Sequence, residues 1–162
     1  MSTPTPTPTE ALPALGTPMP DLALVGPDGA FTTLHSVRGA ERAVVYFLRA
    51  ASCPACLHHA AALAGLAAEG RLGPEVRVLL VTPGSAAEAA RVRRKVAGDA
   101  VTVWASGEGG EGHAAAGLGS FLRLQHSGTF VVAGDGTVVH RRTAALPPLS
   151  FSRAELLEVL GR

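Results

Sequence analysis

Two cysteines stand three apart, as Cys53-Pro54-Ala55-Cys56, between an apolar run and an Ala- and Leu-rich stretch, and no other feature constrains the fold as much. The run before them, Arg42 to Leu48 (RAVVYFL), is short and continuous with β-branched and aromatic members, which predicts a buried central strand. From Pro54 to about Glu69, residues Leu57, Ala60, Ala61, Ala64 and Ala68 recur at helical spacing before Gly70 stops the pattern. Cys53 therefore opens a helix. Pro54 becomes its first helical residue, where a missing N–H costs nothing. In a reducing compartment, a pair placed in this way reads as catalytic or metal-binding before it reads as a structural staple.

The flanking sequence extends the pattern. Val76 to Thr82 (VRVLLVT) predicts a second buried strand ended by Pro83-Gly84. Ser85 then caps a helix from about Ala86 to Val96, with Glu88 at the offset of a capping box. Strand, helix, strand, helix is the order of a βαβ unit with a parallel sheet. Val101 to Ala105 adds a short third strand, Gly107 to Gly112 a flexible loop, and His113 to Leu118 a short helix broken by Gly117.

Two hairpins bracket this unit. Asp21 to Val25 and Phe31–Thr32 flank Gly26-Pro27-Asp28-Gly29, and Thr129 to Val132 and Thr137 to Arg142 flank Ala133-Gly134-Asp135-Gly136. Ser152 to Leu160 closes the chain as an amphipathic helix, with Ser152 and Glu155 as its box and Leu156, Leu157 and Leu160 as its apolar face. The Thr-Pro alternation at the start supports neither helix nor sheet, so residues 1–16 read as a disordered tail and 17–162 as one domain.

Composition narrows the function classes. Hydrophobic residues make up 47% of the chain against 17% charged, enough for a well-filled core. Fourteen Lys and Arg against thirteen Asp and Glu leave a formal charge of +1, so no net field holds a nucleic acid or an acidic membrane. The basic cluster Arg91, Arg93, Arg94 and Lys95 reads as the solvated face of a helix. No apolar stretch reaches a membrane span, and the start lacks the basic and apolar regions of a secretory signal, so the expected location is cytoplasmic. Leu57, not His, follows Cys56, which speaks against attached c-type haem. The glycines from Gly107 to Gly112 enclose Glu108 and Glu111 and no Lys-Ser/Thr, a poor phosphate cradle.

The order of elements, and the segment Phe47-Leu48-Arg49-Ala50-Ala51-Ser52-Cys53-Pro54-Ala55-Cys56 in particular, resembles the alkyl hydroperoxide reductase/thiol-specific antioxidant superfamily, the peroxiredoxins and their CxxC-bearing relatives. Pro20-Asp21-Leu22, Gly29, Leu34 and Gly39 look like that family's opening segment, and Thr129-Phe130-Val131-Val132 before Asp135-Gly136 like its late hairpin. The resemblance implies an α/β, thioredoxin-like fold: a central mixed β-sheet flanked by helices, with an N-terminal β-hairpin extension. Cys56 falls where peroxiredoxins keep the peroxide-attacking cysteine, and Cys53 where they keep a supporting Thr or Ser. Arg49 replaces the family's proline, and Ser127 lies about where its second arginine would stand.

A thiol is nucleophilic as thiolate, and the first turn of a helix offers unpaired N–H groups and the positive end of the dipole to both cysteines. At this spacing the sulfurs reach disulfide distance, so one attacks and the other resolves. In a disulfide exchanger, an exposed Cys53 would attack. In a peroxidase, Cys56 would become a sulfenic acid and condense with Cys53. Arg49, leaving the strand just ahead of the cysteines, is the cation expected to support the thiolate, with Arg123 second.

The resemblance implies a thiol-dependent oxidoreductase that needs no cofactor. Its expected substrate is a hydroperoxide or a protein disulfide, and an external thiol reductant such as a thioredoxin system closes the cycle. His58 and His59 read as surface residues. His126, ahead of the strand expected to face the cysteines, raises the alternative of a copper- or zinc-binding or chaperone module built on Cys53, Cys56 and His126, as in Sco-type copper chaperones.

Overall fold

The computed structural model describes residues 12–96, 98–109, 111–121 and 124–161. The apolar run forms β3 (Arg42–Phe47), an interior strand of a seven-stranded sheet. It pairs in parallel with β4 (Val76–Thr82) on one side, in the register Val44 to Val78 and Tyr46 to Leu80, and antiparallel with β8 (Ser127–Val132) on the other. Beyond β4 lies β5 (Val101–Ala105), again parallel. The N-terminal hairpin, β1 (Ala23–Val25) and β2 (Phe31–Thr33), joins that edge through Val25 and Ala105. β9 (Val138–Ala144) completes the other edge beside β8. A separate two-stranded ribbon, β6 (Ser120–Phe121) with β7 (Leu124–Gln125), precedes β8.

The pleat of β3 divides the core in two. Val44 and Tyr46, with Leu48 just past the strand, face a layer that holds α2 (Pro54–Ala68), α3 (Ala86–Lys95) and α5 (Arg153–Val159). Ala43, Val45 and Phe47 face the opposite layer of Met19, Leu22, Leu34, Phe130 and Ala116, which includes the short helices α1 (Leu34–Arg38) and α4 (Glu111–Ala115). Burial on both faces explains the continuous apolar run, since a half-exposed strand would alternate. Each fully buried large side chain, Tyr46 and Phe47 among them, contributes about 1.5–3 kcal/mol.

Helix ends follow local chemistry with one exception. α2 closes in a Schellman motif: Gly70 takes φ +69°, its N–H donates to the Ala67 carbonyl, and the Arg71 N–H donates to Leu66. Ser152 caps α5, its Oγ accepting the Glu155 N–H at 3.3 Å. Ser85, expected to form a capping box with Glu88, makes no side-chain cap bond to α3. The Glu88 side chain instead lies over Gly84 and reaches Arg91 at 3.5 Å. Leu12 packs on the second core layer, and the Gly16 N–H donates to the Val138 carbonyl at 2.7 Å. Residues 1–11, the start of the sequence-predicted tail, lie outside the described residues.

Candidate active site

Strand β3 delivers the chain to the cysteines. The Leu48 N–H still donates to the Val81 carbonyl at 2.8 Å, after which Arg49 to Ser52 turn the chain, and the Cys53 N–H closes the turn on Ala50 at 3.2 Å. Cys53 is the N-cap of α2 with extended backbone, and Pro54 is the first helical residue. The Cys53 carbonyl accepts the first intrahelical bond, from Leu57 at 3.0 Å. Its sulfur does what a capping oxygen does elsewhere: Sγ accepts the Cys56 N–H at 3.3 Å. Negative charge on Cys53 therefore meets an aimed donor and the positive end of a 15-residue helix.

Cys56 lies one turn inside, fully buried, and its Sγ accepts the Arg49 backbone N–H at 3.3 Å. Burial first, and then the hydrogen bond it shares with Cys53, push the Cys56 thiol up to about 12; the Arg49 N–H and the Tyr46 hydroxyl oppose this only in part. Both thiols are free. Cys53, expected from sequence to sit exposed at the helix edge, is also buried, at 4% exposure. A helix start recognised from sequence does not say what covers it.

Arg49 is half-buried, and its Nε is shielded from solvent with no hydrogen-bond partner among the described residues. Ser127 Oγ is in the same condition, at the start of β8 and next to Gly128, which pairs with Phe47 at the end of β3. Two unsatisfied polar atoms thus lie at the end of the sheet from which the cysteine loop emerges. Arg123 falls outside the described residues.

His126 is half-buried against Gly119, and its N–H donates to the Gly119 carbonyl at 2.8 Å. Among the described residues, no three His, Cys, Asp or Glu side chains converge as a metal would need, so Cys53, Cys56 and His126 do not form the ligand set of the alternative reading. His58 is exposed, but His59 is not a plain surface residue. Its Nδ1 lies 3.0 Å from the buried Tyr46 hydroxyl, which is also 3.2 Å from Ser150 Oγ. Burial, then the charge of His58, lowers the His59 pKa below its ordinary value. Burial likewise raises that of Tyr46, with the charge of Cys56 second.

Sequence reasoning also missed His113. It is fully buried on α4, edge-on to Phe47, with Nε2 2.8 Å from the Leu48 carbonyl oxygen and Nδ1 2.7 Å from Ser106 Oγ. Burial brings its pKa down to about 4 against a smaller opposing effect of the Leu48 carbonyl, so the ring is neutral, donating from Nε2 and accepting at Nδ1. A lone histidine among Gly and Ala carries no periodic signal that could have singled it out.

Comparison with known proteins places this geometry. The Redoxin family model matches residues 14–160. Among solved structures, a peroxiredoxin-like protein from Aquifex aeolicus superposes with a TM-score of 0.79 at 14% identity, covering 94% of this chain and 89% of that one. Peroxidoxin BcpB from Mycobacterium tuberculosis gives 0.73 at 18% identity, covering 92% and 97%. A thiol peroxidase from Chromobacterium violaceum gives 0.74 at 16%, covering 93% and 87%. At these identities the likeness is one of fold: a mixed sheet flanked by helices, with the N-terminal hairpin added at one edge. Comparison with curated protein sequences finds no match.

Proposed function

The chain belongs to the Redoxin family, and from that premise we propose that it is a thiol-dependent peroxidase in which Cys53 attacks a hydroperoxide and Cys56 resolves the product. One observation carries the division of labour: Cys53 Sγ receives the Cys56 N–H at the start of α2, whereas Cys56 holds its proton up to about 12. The Cys53 thiolate attacks the distal oxygen of the peroxide, the O–O bond breaks, and the departing alkoxide or hydroxide takes a proton to leave as alcohol or water. The sulfur is oxidised to a sulfenic acid. Cys56 then displaces its oxygen as water, forming the Cys53–Cys56 disulfide. An external dithiol, such as a thioredoxin system, reduces that bond and closes the cycle.

The burial of both sulfurs supports a small hydroperoxide over a protein disulfide, which would need a sulfur presented at the surface. Arg49 supports the first step. Its buried Nε, without a partner among the described residues, is a charged donor available to a developing oxyanion at the mouth of the loop. No helix of the described residues is long and apolar enough to cross a membrane, and a net charge of +1 offers nucleic acid no field. A reducing cytoplasm suits a pair that must return to dithiol after each turnover.

Stopped-flow oxidation of the reduced protein by hydrogen peroxide tests the assignment. Sulfenic acid should accumulate rapidly in Cys56→Ser and fail to form in Cys53→Ser. Rapid oxidation retained in Cys53→Ser and lost in Cys56→Ser would hand the attacking role to Cys56, as in the peroxiredoxin pattern. Rates like that of free cysteine throughout would overturn the peroxidase.

A further inference from the structure

The peptide unit between Leu48 and Arg49 is held at both ends. Its N–H donates to the Cys56 sulfur at 3.3 Å, and its carbonyl accepts the Nε2–H of His113 at 2.8 Å. The unit is planar and trans, so the direction of its carbonyl fixes the direction of its N–H. A ring on α4 and a thiol on α2 thus bear on opposite ends of one rigid group.

His113 is itself held in place. Ser106 Oγ stands 2.7 Å from Nδ1 and 3.4 Å from the Thr82 carbonyl, so its one proton goes to the ring, which leaves the ring proton on Nε2, facing Leu48. The Ser106 N–H donates to the Thr82 carbonyl at 2.9 Å and keys that hydroxyl to the end of β4. Gly112 lets α4 come this close: its N–H donates to the Ser106 carbonyl at 3.1 Å, and a Cβ added to it would meet the Cβ of Ser106 at 2.5 Å. A side chain at 112 would push the ring away from Leu48.

We propose that His113 is a positioning residue for the resolving step: through the Leu48–Arg49 peptide it holds the Arg49 N–H on the Cys56 sulfur while that sulfur takes up negative charge. Hydrogen bonds in series polarise one another, so donation into the carbonyl also strengthens the N–H as a donor. In disulfide formation Cys56 gives up its proton, its electron pair forms the S–S bond, and the sulfenic oxygen leaves Cys53 as hydroxide. That hydroxide and the thiol proton make one water. In the return half, an external thiolate attacks Cys53, the S–S bond breaks, and Cys56 leaves with the electron pair, so the same N–H meets the charge again. The inference rests on the assignment of attack to Cys53.

The test follows hydrogen peroxide oxidation of the full chain in two phases, sulfenic acid formation and then disulfide formation, with the Arg49 amide proton read by NMR in the reduced protein. His113→Phe keeps a ring and loses the donor. Its second phase should slow by about 10-fold, the worth of one hydrogen bond to a charged group, while the first holds its rate and the Arg49 amide shifts upfield and exchanges faster. His113→Gln, whose amide reaches toward the same carbonyl, should restore most of the rate and of the shift. Ser106→Ala, the milder change, should move both in the direction of His113→Phe. Arg38→Met, which removes a donor from the Glu41 carbonyl at the other end of β3, should move neither. A wild-type second phase or an unmoved Arg49 amide, in whichever of His113→Phe and Ser106→Ala folds, would overturn the positioning role alone, as would an equal slowing in Arg38→Met. Sulfenic acid trapped in Cys53→Ser and not in Cys56→Ser would overturn the assignment of attack, and the resolving role with it, whatever the amide shows.

Discussion

His113 Nε2 donates to the Leu48 carbonyl oxygen across 2.8 Å, so a ring on α4 fixes the backbone one residue before the loop that carries both cysteines. The ring is neutral in the fold, with a pKa near 4 against an ordinary 6.5. Between those values the unfolded chain binds a proton that the folded chain refuses. Stability is therefore complete above about pH 6.5 and falls as pH drops toward about 4, by up to roughly 1.4 kcal/mol per pH unit for this one proton. Urea unfolding across that range should show the slope, and His113→Gln should flatten it.

Cys56 should behave as an inert thiol when left alone. Burial, the first cause of its raised pKa, persists in Cys53→Ser. The ultraviolet thiolate absorbance of that variant should stay absent through neutral pH and rise only above the ordinary thiol value of 9.0.

Replacing Arg49 by Met should remove an Nε donor that has no partner among the described residues to lose. Sulfenic acid formation is expected to slow by about 10-fold or more, the worth of one hydrogen bond to a charged group, with unfolding free energy changed by less than about 1 kcal/mol. Arg49→Lys should recover only part of the rate, because an ammonium cannot present the same fork. Peroxide-oxidation rates and denaturant midpoints check both halves.

Two serines with the same sequence signature should answer differently to alanine. Ser152→Ala loses a cap bond at 3.3 Å and should cost about 1 kcal/mol, whereas Ser85 has no side-chain cap bond and its replacement should be nearly neutral. Thermal or urea unfolding of the two variants separates them.

Arg38 is the buried cation of the opposite layer, with Nη1 3.2–3.3 Å from the carbonyls of Glu41, Ala133 and Gly134. Arg38→Met leaves three carbonyls near the β8–β9 turn without that donor, and should cost about 2–4 kcal/mol by the same unfolding measurement.

These cases mark where sequence sufficed. β3, α2, β4 and α3 were legible because apolar continuity and helical spacing are written locally, and Asp135-Gly136 announces its hairpin. The helix α1 escaped because five residues, Leu34–Arg38, are too few to show a period, although Thr33 caps it through the Ser36 N–H. The box that Ser85 and Glu88 spell does not form: the Glu88 N–H donates to the Ser85 carbonyl at 3.0 Å, and the Glu88 side chain reaches Arg91. The burial of Cys53 and the contacts of His59 and His113 depend on segments far apart in the chain, from Tyr46 to Ser150 and from Leu48 to His113, and no window of sequence contains them.

Only Pro54 and Ala55 separate the two sulfurs, which occupy successive turns at one helix end. A bond between them closes a ring too small to restrict the unfolded chain much, since cross-link entropy grows with the number of residues enclosed. It also ties no distant strand or helix to another. Oxidation of the pair would thus brace the fold far less than a bond between distant strands: chain entropy credits so short a loop with about 2 kcal/mol, against about 4.7 kcal/mol for one of 100 residues.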